Sequence, residues 1–331
     1  MTATTLWKPD VLGEGYEQRS IALGDDPDGE GTVEATLVRH TVPAEVSAAV
    51  IYVHGFSDYF FQREMAEFFA ARGYAFYALD LRKCGRSRRA GQTGHYVSDL
   101  ALYDRELGEA LAIVREENPE KPLLLSAHST GGLILPLWLD RLNRAPGGSQ
   151  GAGIAGLVLN SPWFDLQGAP WMRSVGTQAI SAIARIRPKA MIKLPPTDAY
   201  GMSLHVSGHG EWEFNTAFKP LNGFPVSFGW LSAIRRGHAQ LHRGLDIGVP
   251  SLVLRSRTSR FARAWSAEID EADAVLDVKQ IARWAGCLGD AVTVVPIDKA
   301  RHDVFISKAE PREAAYRAVD VWLRATGLPA S

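Results

Sequence analysis

The stretch LLLSAHSTGGL, Leu123 to Leu133, decides the fold. Its first residues form an apolar run of strand length, which suits a strand covered on both faces. The run enters Ala-His-Ser-Thr-Gly and continues into TGGLILPLWLDRLN, residues 130–143, which reads as a helix. A strand that ends in a tight turn before a helix puts Ser129 at the carboxyl edge of a sheet, where ligand crevices form. The same turn sets the free N–H groups of a helix N-terminus beside it. The pattern for such a turn is G-x-S-x-G. Here Ala127 stands at the first glycine, and Gly131 and Gly132 follow the serine. The plainer reading of Ser129 is a helix N-cap, so the remainder of the chain must supply a base, an acid and an oxyanion site.

Similar apolar runs recur on either side. Residues 48–55 (AAVIYVHG), 74–81 (YAFYALDL), 157–162 (LVLNSP), 251–256 (SLVLRS) and 292–297 (VTVVPI) read as strands. Helical patterns lie between them: MAEFFAARG with a stop at Gly73, 99–117 ending near Asn118-Pro119, 130–143, 230–242, 277–287 and 310–325. Residues 16–42 read as a hairpin around GDDPDGEG. The alternation predicts an α/β fold, with a mostly parallel sheet and helices on both faces. It breaks from Trp163 to about Trp230, a region with SVGTQAISAIARI, Pro195-Pro196 and ten aromatic residues. That region reads as an insertion of helices and irregular chain. The expected organisation is therefore a core of residues 1–162 and 231–331 with an insertion at 163–230. GGSQGAGIAG, residues 147–156, reads as a loop; it lacks the Lys-Ser/Thr of a phosphate loop.

A chain of 331 residues, 46% hydrophobic and 22% charged, can bury a sizeable core. The net charge of −1 gives no global field toward nucleic acid or an anionic membrane surface. The basic run RKCGRSRR, Arg82 to Arg89, reads as a solvated loop. Two cysteines, Cys84 and Cys287, with no CxxC, exclude a disulfide framework and a Cys-rich zinc site. MTATTLWKPD lacks the order of a signal peptide, and no run of 18 apolar residues occurs. The expectation is a cytoplasmic protein without a transmembrane segment.

A serine is nucleophilic at neutral pH only beside a base. His302, in IDKARHDVF just past the last strand, shares the sheet edge of Ser129 and is the candidate base. His128 is turned away by the same geometry and reads as a packing or hydrogen-bonding residue. A carboxylate that fixes the histidine tautomer should follow strand 251–256, where Glu268, Asp270, Glu271, Asp273 and Asp277 crowd together. Asp273 is preferred, because DAVLDVKQIARWA reads as an acid, a small loop and a helix start with Asp277 at the N-cap. Sixteen residues, 257–272, separate it from the strand, and Asp270 and Asp277 stay open as alternatives. Two backbone donors are needed for a developing oxyanion. Thr130 supplies one N–H, and Phe56 in HGFSDYF is the candidate for the other. Asp58, close by, reads as a turn residue. His205 with His209, and His238 with His242, have i,i+4 spacing, but no carboxylate stands as in H-E-x-x-H, so no metal is expected.

With these residues placed, the chain resembles the α/β-hydrolase superfamily from about residue 45 to its end. The resemblance rests on YVHGF (52–56), LDLRKCGRSRR (79–89), SAHSTGG (126–132), DAVLDV (273–278) and ARHDVF (300–305), with Ser, Asp and His in the family's chain order. LDLRKCGRS is similar to the family's D-x-R-G-x-G-x-S loop and departs from it at Lys83 and Cys84, both read as clear of the chemistry. Within the superfamily the chain most resembles the lysophospholipase or monoacylglycerol-lipase-like, serine aminopeptidase-like group. That resemblance implies cofactor-free hydrolysis of an ester, thioester or amide, and a cap formed by residues 163–230. The reading is a serine hydrolase of carboxylic esters whose small-molecule or lipid-like substrate has an apolar acyl or aromatic part. Its alternatives are an amidase or peptidase of the same fold, and a non-catalytic ligand-binding protein on a hydrolase scaffold.

Overall fold

Six apolar runs pair in parallel and form the centre of a nine-stranded sheet. The computed structural model describes residues 6–41, 45–167, 180–193 and 197–330. The parallel strands are β4 (Ala48–Val53), β5 (Tyr74–Asp80), β6 (Leu123–His128), β7 (Ile154–Asn160), β8 (Ser251–Ser256) and β9 (Val292–Ile297). One edge is antiparallel: β1 (Lys8–Pro9), β2 (Tyr16–Asp25) and β3 (Thr32–His40), with β3 running against β5. The spatial order is β1-β2-β3-β5-β4-β6-β7-β8-β9. This is the mostly parallel α/β sheet expected from the alternation.

The period of two along each strand sends neighbouring side chains to opposite faces. Ile51, Val53, Leu125, Ala127, Leu157 and Leu159 join one apolar core, under the helices Asp104–Glu117, Gly131–Asn143, Phe228–Leu241 and Val278–Trp284. Val50, Tyr52, Phe76, Leu124, Val158 and Leu252 join the other, under Arg63–Ala70 and Ala309–Ala325. Because both faces are covered, β4 to β8 carry few polar side chains in their interiors and read as apolar runs, whereas edge strand β9 is partly exposed. The parallel arrangement also brings the loops after β4, β6, β7, β8 and β9 to one edge, which is where the candidate residues lie.

Local chemistry sets the element ends. Asp99 accepts the Ala101 N–H at 2.9 Å and opens a 3-10 turn, Leu100–Tyr103, ahead of the helix from Asp104. Asp277 caps Val278–Trp284 through the Lys279 N–H at 3.0 Å. Ser227 caps the helix from Phe228, inside the stretch read as insertion. The glycine-rich stretch 147–156 is not all loop: Gly148–Gly151 makes one helical turn, and β7 begins at Ile154. Within the insertion, residues 180–186 and 199–204 are helical. Trp171, residues 174–179 of SVGTQAISAIARI, and Pro195-Pro196 lie outside the described residues.

The basic run from Arg82 to Arg89 is corrected by the structure. Arg82, Lys83 and Arg86 are not solvated. Arg82 grips Glu106 at 2.5 Å, Lys83 pairs with Asp26 at 2.5 Å and Glu30 at 3.0 Å, and Arg86 meets Asp10 at 2.7 Å and Asp80 at 2.8 Å. Asp80 ends the strand just before the run, but the other counter-charges come from the hairpin, from the chain before it and from a later helix, so the local run carries no sign of those. Arg88 and Arg89 are exposed, as read. Among the described residues no helix is long and apolar enough to cross a membrane.

Candidate active site

Ser129 follows the last residue of β6 and has φ 52°, a left-handed backbone that few side chains adopt. Neighbouring chain presses on this turn from three sides. A Cβ on Gly55 would stand 2.9 Å from the Ser129 Cβ, one on Gly131 would stand 2.5 Å from the His54 carbonyl oxygen, and one on Gly132 would stand 2.6 Å from the Pro162 Cβ. Glycine is thus needed after the serine and in the loop facing it. Ala127 is different. It lies inside β6 between Val53 and Leu159, and its methyl is fully buried in the core.

His302, past β9, reaches the serine: Nε2 accepts from the Ser129 Oγ at 3.0 Å. On the far side of the ring, Nδ1–H donates to Asp273 Oδ2 at 2.9 Å. The second Asp273 oxygen accepts the N–H groups of Val275 at 2.8 Å and Leu276 at 2.7 Å. Asp273 is fully buried, so every one of these bonds is made away from water. The long connection after β8 closes on itself: the Asp273 N–H donates to the Thr258 carbonyl and the Arg260 N–H to the Asp273 carbonyl, both at 2.9 Å. Sixteen residues therefore return Asp273 to the end of the strand it follows.

The other carboxylates at this edge are engaged elsewhere. Asp270 faces Arg301 at 3.0 Å and accepts from the Trp265 indole at 3.3 Å, and Asp277 caps its helix. Asp303, beside His302, accepts from Asn160 at 2.6 Å and Gln62 at 3.2 Å, which ties the histidine loop to β7. Sequence reasoning did not pick out Asp303, Asn160 or Arg301. Nothing in their local pattern separates them from ordinary strand-end and loop residues.

The N–H groups of Phe56 and Thr130 find no acceptor among the described residues. Phe56 packs its ring on Trp230 at 4.1 Å and on His95 at 5.0 Å. Cys84 is closer to the chemistry than read: it lines a small cavity with Phe56, Thr130 and His95, and its Sγ lies 3.2 Å from His95 Nδ1. Lys83 is clear of the site, in its ion pairs with Asp26 and Glu30.

Asp58 is more than a turn residue. It is 1% exposed, with Lys219 Nζ at 2.7 Å from one oxygen and His128 Nδ1 at 3.1 Å from the other. Burial works to raise its carboxyl, and the Lys219 ammonium with the His128 hydrogen bond more than offsets this, holding it below the usual carboxylate range. Lys219 comes from 161 residues further along, so the pair is invisible locally. Tyr200, also from the insertion, accepts the Asp303 N–H at 3.2 Å and meets the His302 ring edge-on at 5.6 Å. The i,i+4 histidines hold chain together: His238 and His242 donate to the carbonyls of Trp163 at 2.9 Å and Phe164 at 2.8 Å, and His205 donates to that of Phe214 at 3.2 Å.

The line Asp273–His302–Ser129 can draw the proton from the serine hydroxyl while the carboxylate holds the ring in the tautomer that accepts it. The family model described as Serine aminopeptidase, S33 matches residues 44–306. No curated protein matches the chain. Among solved structures, a soluble variant of monoglyceride lipase from Saccharomyces cerevisiae, bound to a substrate analog, is 14% identical with TM-score 0.61, covering 98% of this chain and 97% of that one. A monoacylglycerol lipase from Paleococcus ferrophilus is 17% identical with TM-score 0.58, covering 94% and 99%. A thermostable carboxyl esterase from Bacillus coagulans, in complex with glycerol, is 15% identical with TM-score 0.61, covering 93% and 98%. At these identities the structural likeness establishes the fold. The family match spans most of the chain and includes all the loops that carry Ser129, Asp273 and His302: the protein belongs to the serine aminopeptidase family of α/β-hydrolases.

Proposed function

We propose that the chain is a serine hydrolase that cleaves carboxylic esters through an acyl-enzyme. The observation that carries this reading is the unbroken hydrogen-bonded line from Ser129 Oγ through His302 to the buried Asp273. Ser129 Oγ attacks the substrate carbonyl carbon as His302 Nε2 takes its proton. The carbonyl oxygen becomes an oxyanion, held by the N–H groups of Phe56 and Thr130. The tetrahedral adduct expels the alcohol, which takes the proton back from His302. Water then enters by the same route in reverse roles and releases the acid. Asp273 keeps the imidazole oriented throughout and steadies its cationic form.

In this reading residues 1–162 and 231–331 are the catalytic core and 163–230 a cap. Aromatic side chains around the serine turn, with Trp163 at 5.8 Å from Trp230 and Trp230 on Phe56, favour an apolar acyl or aromatic substrate part. The similar structures are of two lipases and an esterase, which ranks ester above amide. The family's own description names aminopeptidases, so an amidase or peptidase is the second reading. A panel of p-nitrophenyl esters and matched anilides separates the two. The test of the reaction itself is Ser129→Ala, expected to abolish ester turnover and labelling by a fluorophosphonate probe. Turnover that persists in that variant overturns the assignment, and a wild-type protein that never labels points to a binding protein.

A further inference from the structure

Residues 214–224, in the proposed cap, are bound to the loop after β4 along its length. Ser57 Oγ accepts the Phe224 N–H at 2.7 Å, Asp58 takes the Lys219 ammonium at 2.7 Å, and the Tyr59 hydroxyl accepts the Asn215 N–H at 2.8 Å. Phe61 packs on Phe214 with ring centroids 5.0 Å apart. The central tie is the charged one, and it is buried: Lys219 is 7% exposed and Asp58 1%. The Lys219 ammonium also lies over the Phe61 ring at 5.6 Å and the Phe214 ring at 5.8 Å.

The loop it grips has no regular pairing of its own. It turns through Ser57 at φ 55° and is fixed again at Phe60, whose N–H donates to Asp80 at 3.0 Å. Between these points side-chain ties decide its shape. Phe56, the proposed oxyanion donor, stands two residues before Asp58. The other Asp58 oxygen holds His128, the residue directly before Ser129.

We propose that Lys219 is a positioning residue: from the cap it anchors Asp58, and through Asp58 it fixes the oxyanion loop at Phe56 and the turn that presents Ser129. This inference rests on the serine-hydrolase reading above. A buried carboxylate keeps its place only while it is paired. Without the ammonium, Asp58 retains His128 alone, and the loop must rotate to carry the carboxyl toward water. Gly55 already lies against Ser129, so the loop has no slack on that side. Rotation therefore moves the Phe56 N–H away from the developing charge. That hydrogen bond strengthens in the transition state, so its loss falls on kcat and leaves KM nearly untouched.

The experiment compares the full-length wild type with Lys219→Met, Lys219→Arg, Asp58→Asn and the Asp58→Asn/Lys219→Met pair. Steady-state p-nitrophenyl ester kinetics, inhibition by a trifluoromethyl ketone and thermal melting are read on each. Lys219→Met is expected to lower kcat about 10- to 100-fold with KM within about threefold, and to weaken the ketone by the same factor. Lys219→Arg keeps the charge and is expected to keep most of kcat. The double variant is expected to be no worse than the poorer single one, because both remove one interaction. A wild-type kcat in Lys219→Met, a loss confined to KM, an arginine variant as poor as the methionine one, or losses that add in the double variant each overturn the proposal. If Lys219→Met does not fold, the near-isosteric Asp58→Asn decides: an unchanged kcat there is equally fatal. A wild type that neither turns over ester nor takes fluorophosphonate at Ser129 defeats the serine-hydrolase reading instead.

Discussion

Asp273 accepts the His302 Nδ1–H at 2.9 Å while its other oxygen is saturated by two backbone N–H groups. Asp273→Asn keeps the shape but presents an amide N–H₂ where the ring needs an acceptor. We expect kcat to fall by about 10⁴ with the fold intact, the size of loss seen when the tautomer is reversed. Asp277→Asn keeps a helix cap and is expected to stay near wild-type kcat. Asp270→Asn disturbs the buried Arg301 pair, so its effect should appear mainly as a lower melting temperature. Equal losses of kcat in all three, measured on one ester at saturating concentration, would reassign the acid.

The serine turn makes a second pair of predictions. Gly131→Ala drives a methyl against the His54 carbonyl, which is backbone and cannot step aside. It is expected to abolish turnover or expression. Ala127→Gly restores the G-x-S-x-G pattern but removes a buried methyl from β6. It is expected to retain activity and to cost about 1 kcal/mol in a urea titration. Activity gained by the glycine would show that Ala127 strains the turn.

Buried and exposed members of one basic run should behave differently. Glu106→Ala leaves the Arg82 guanidinium uncompensated in the core and is expected to destabilise by about 3–5 kcal/mol. Arg89→Ala removes a largely exposed cation and is expected to leave the denaturation midpoint close to that of the wild type. Chemical denaturation of the two variants side by side checks this.

Asp58 sets an acid dependence. Its carboxyl is held below the usual range in the folded protein, so the folded state binds its proton at lower pH than the unfolded chain does. Its stabilising contribution is complete above the unfolded value of about 3.9 and is lost as pH falls through the folded value. The drop in urea midpoint between pH 7 and pH 3 is expected to be larger for the wild type than for Asp58→Asn. An identical drop would mean that Asp58 titrates normally.

What was legible in the sequence was whatever repeats locally. Apolar runs of six or so residues gave the strands and their parallel pairing, because a strand covered on both faces has no polar positions to hide. The serine turn was legible because crowding there demands small residues at fixed spacing. Charges were misread for the opposite reason. Arg82, Lys83, Arg86 and Asp58 look like loop residues because Glu106, Asp26, Asp10 and Lys219 reach them only through the fold. Burial of an ion pair is a property of two distant segments, and neither segment records it alone.

The excursion after β8 has a consequence for how such a chain can change. Two backbone hydrogen bonds at Thr258, Arg260 and Asp273 pinch it at the neck. Residues 261–264 lie outside that pinch and are largely solvent-facing, Phe261 among them at 54% exposure. Lengthening or rewriting them leaves the carboxylate where the neck puts it. Loop length and acid position are thus separable variables, and 261–264 is a stretch where grafted sequence can be tried without disturbing the Asp273–His302–Ser129 hydrogen bonds.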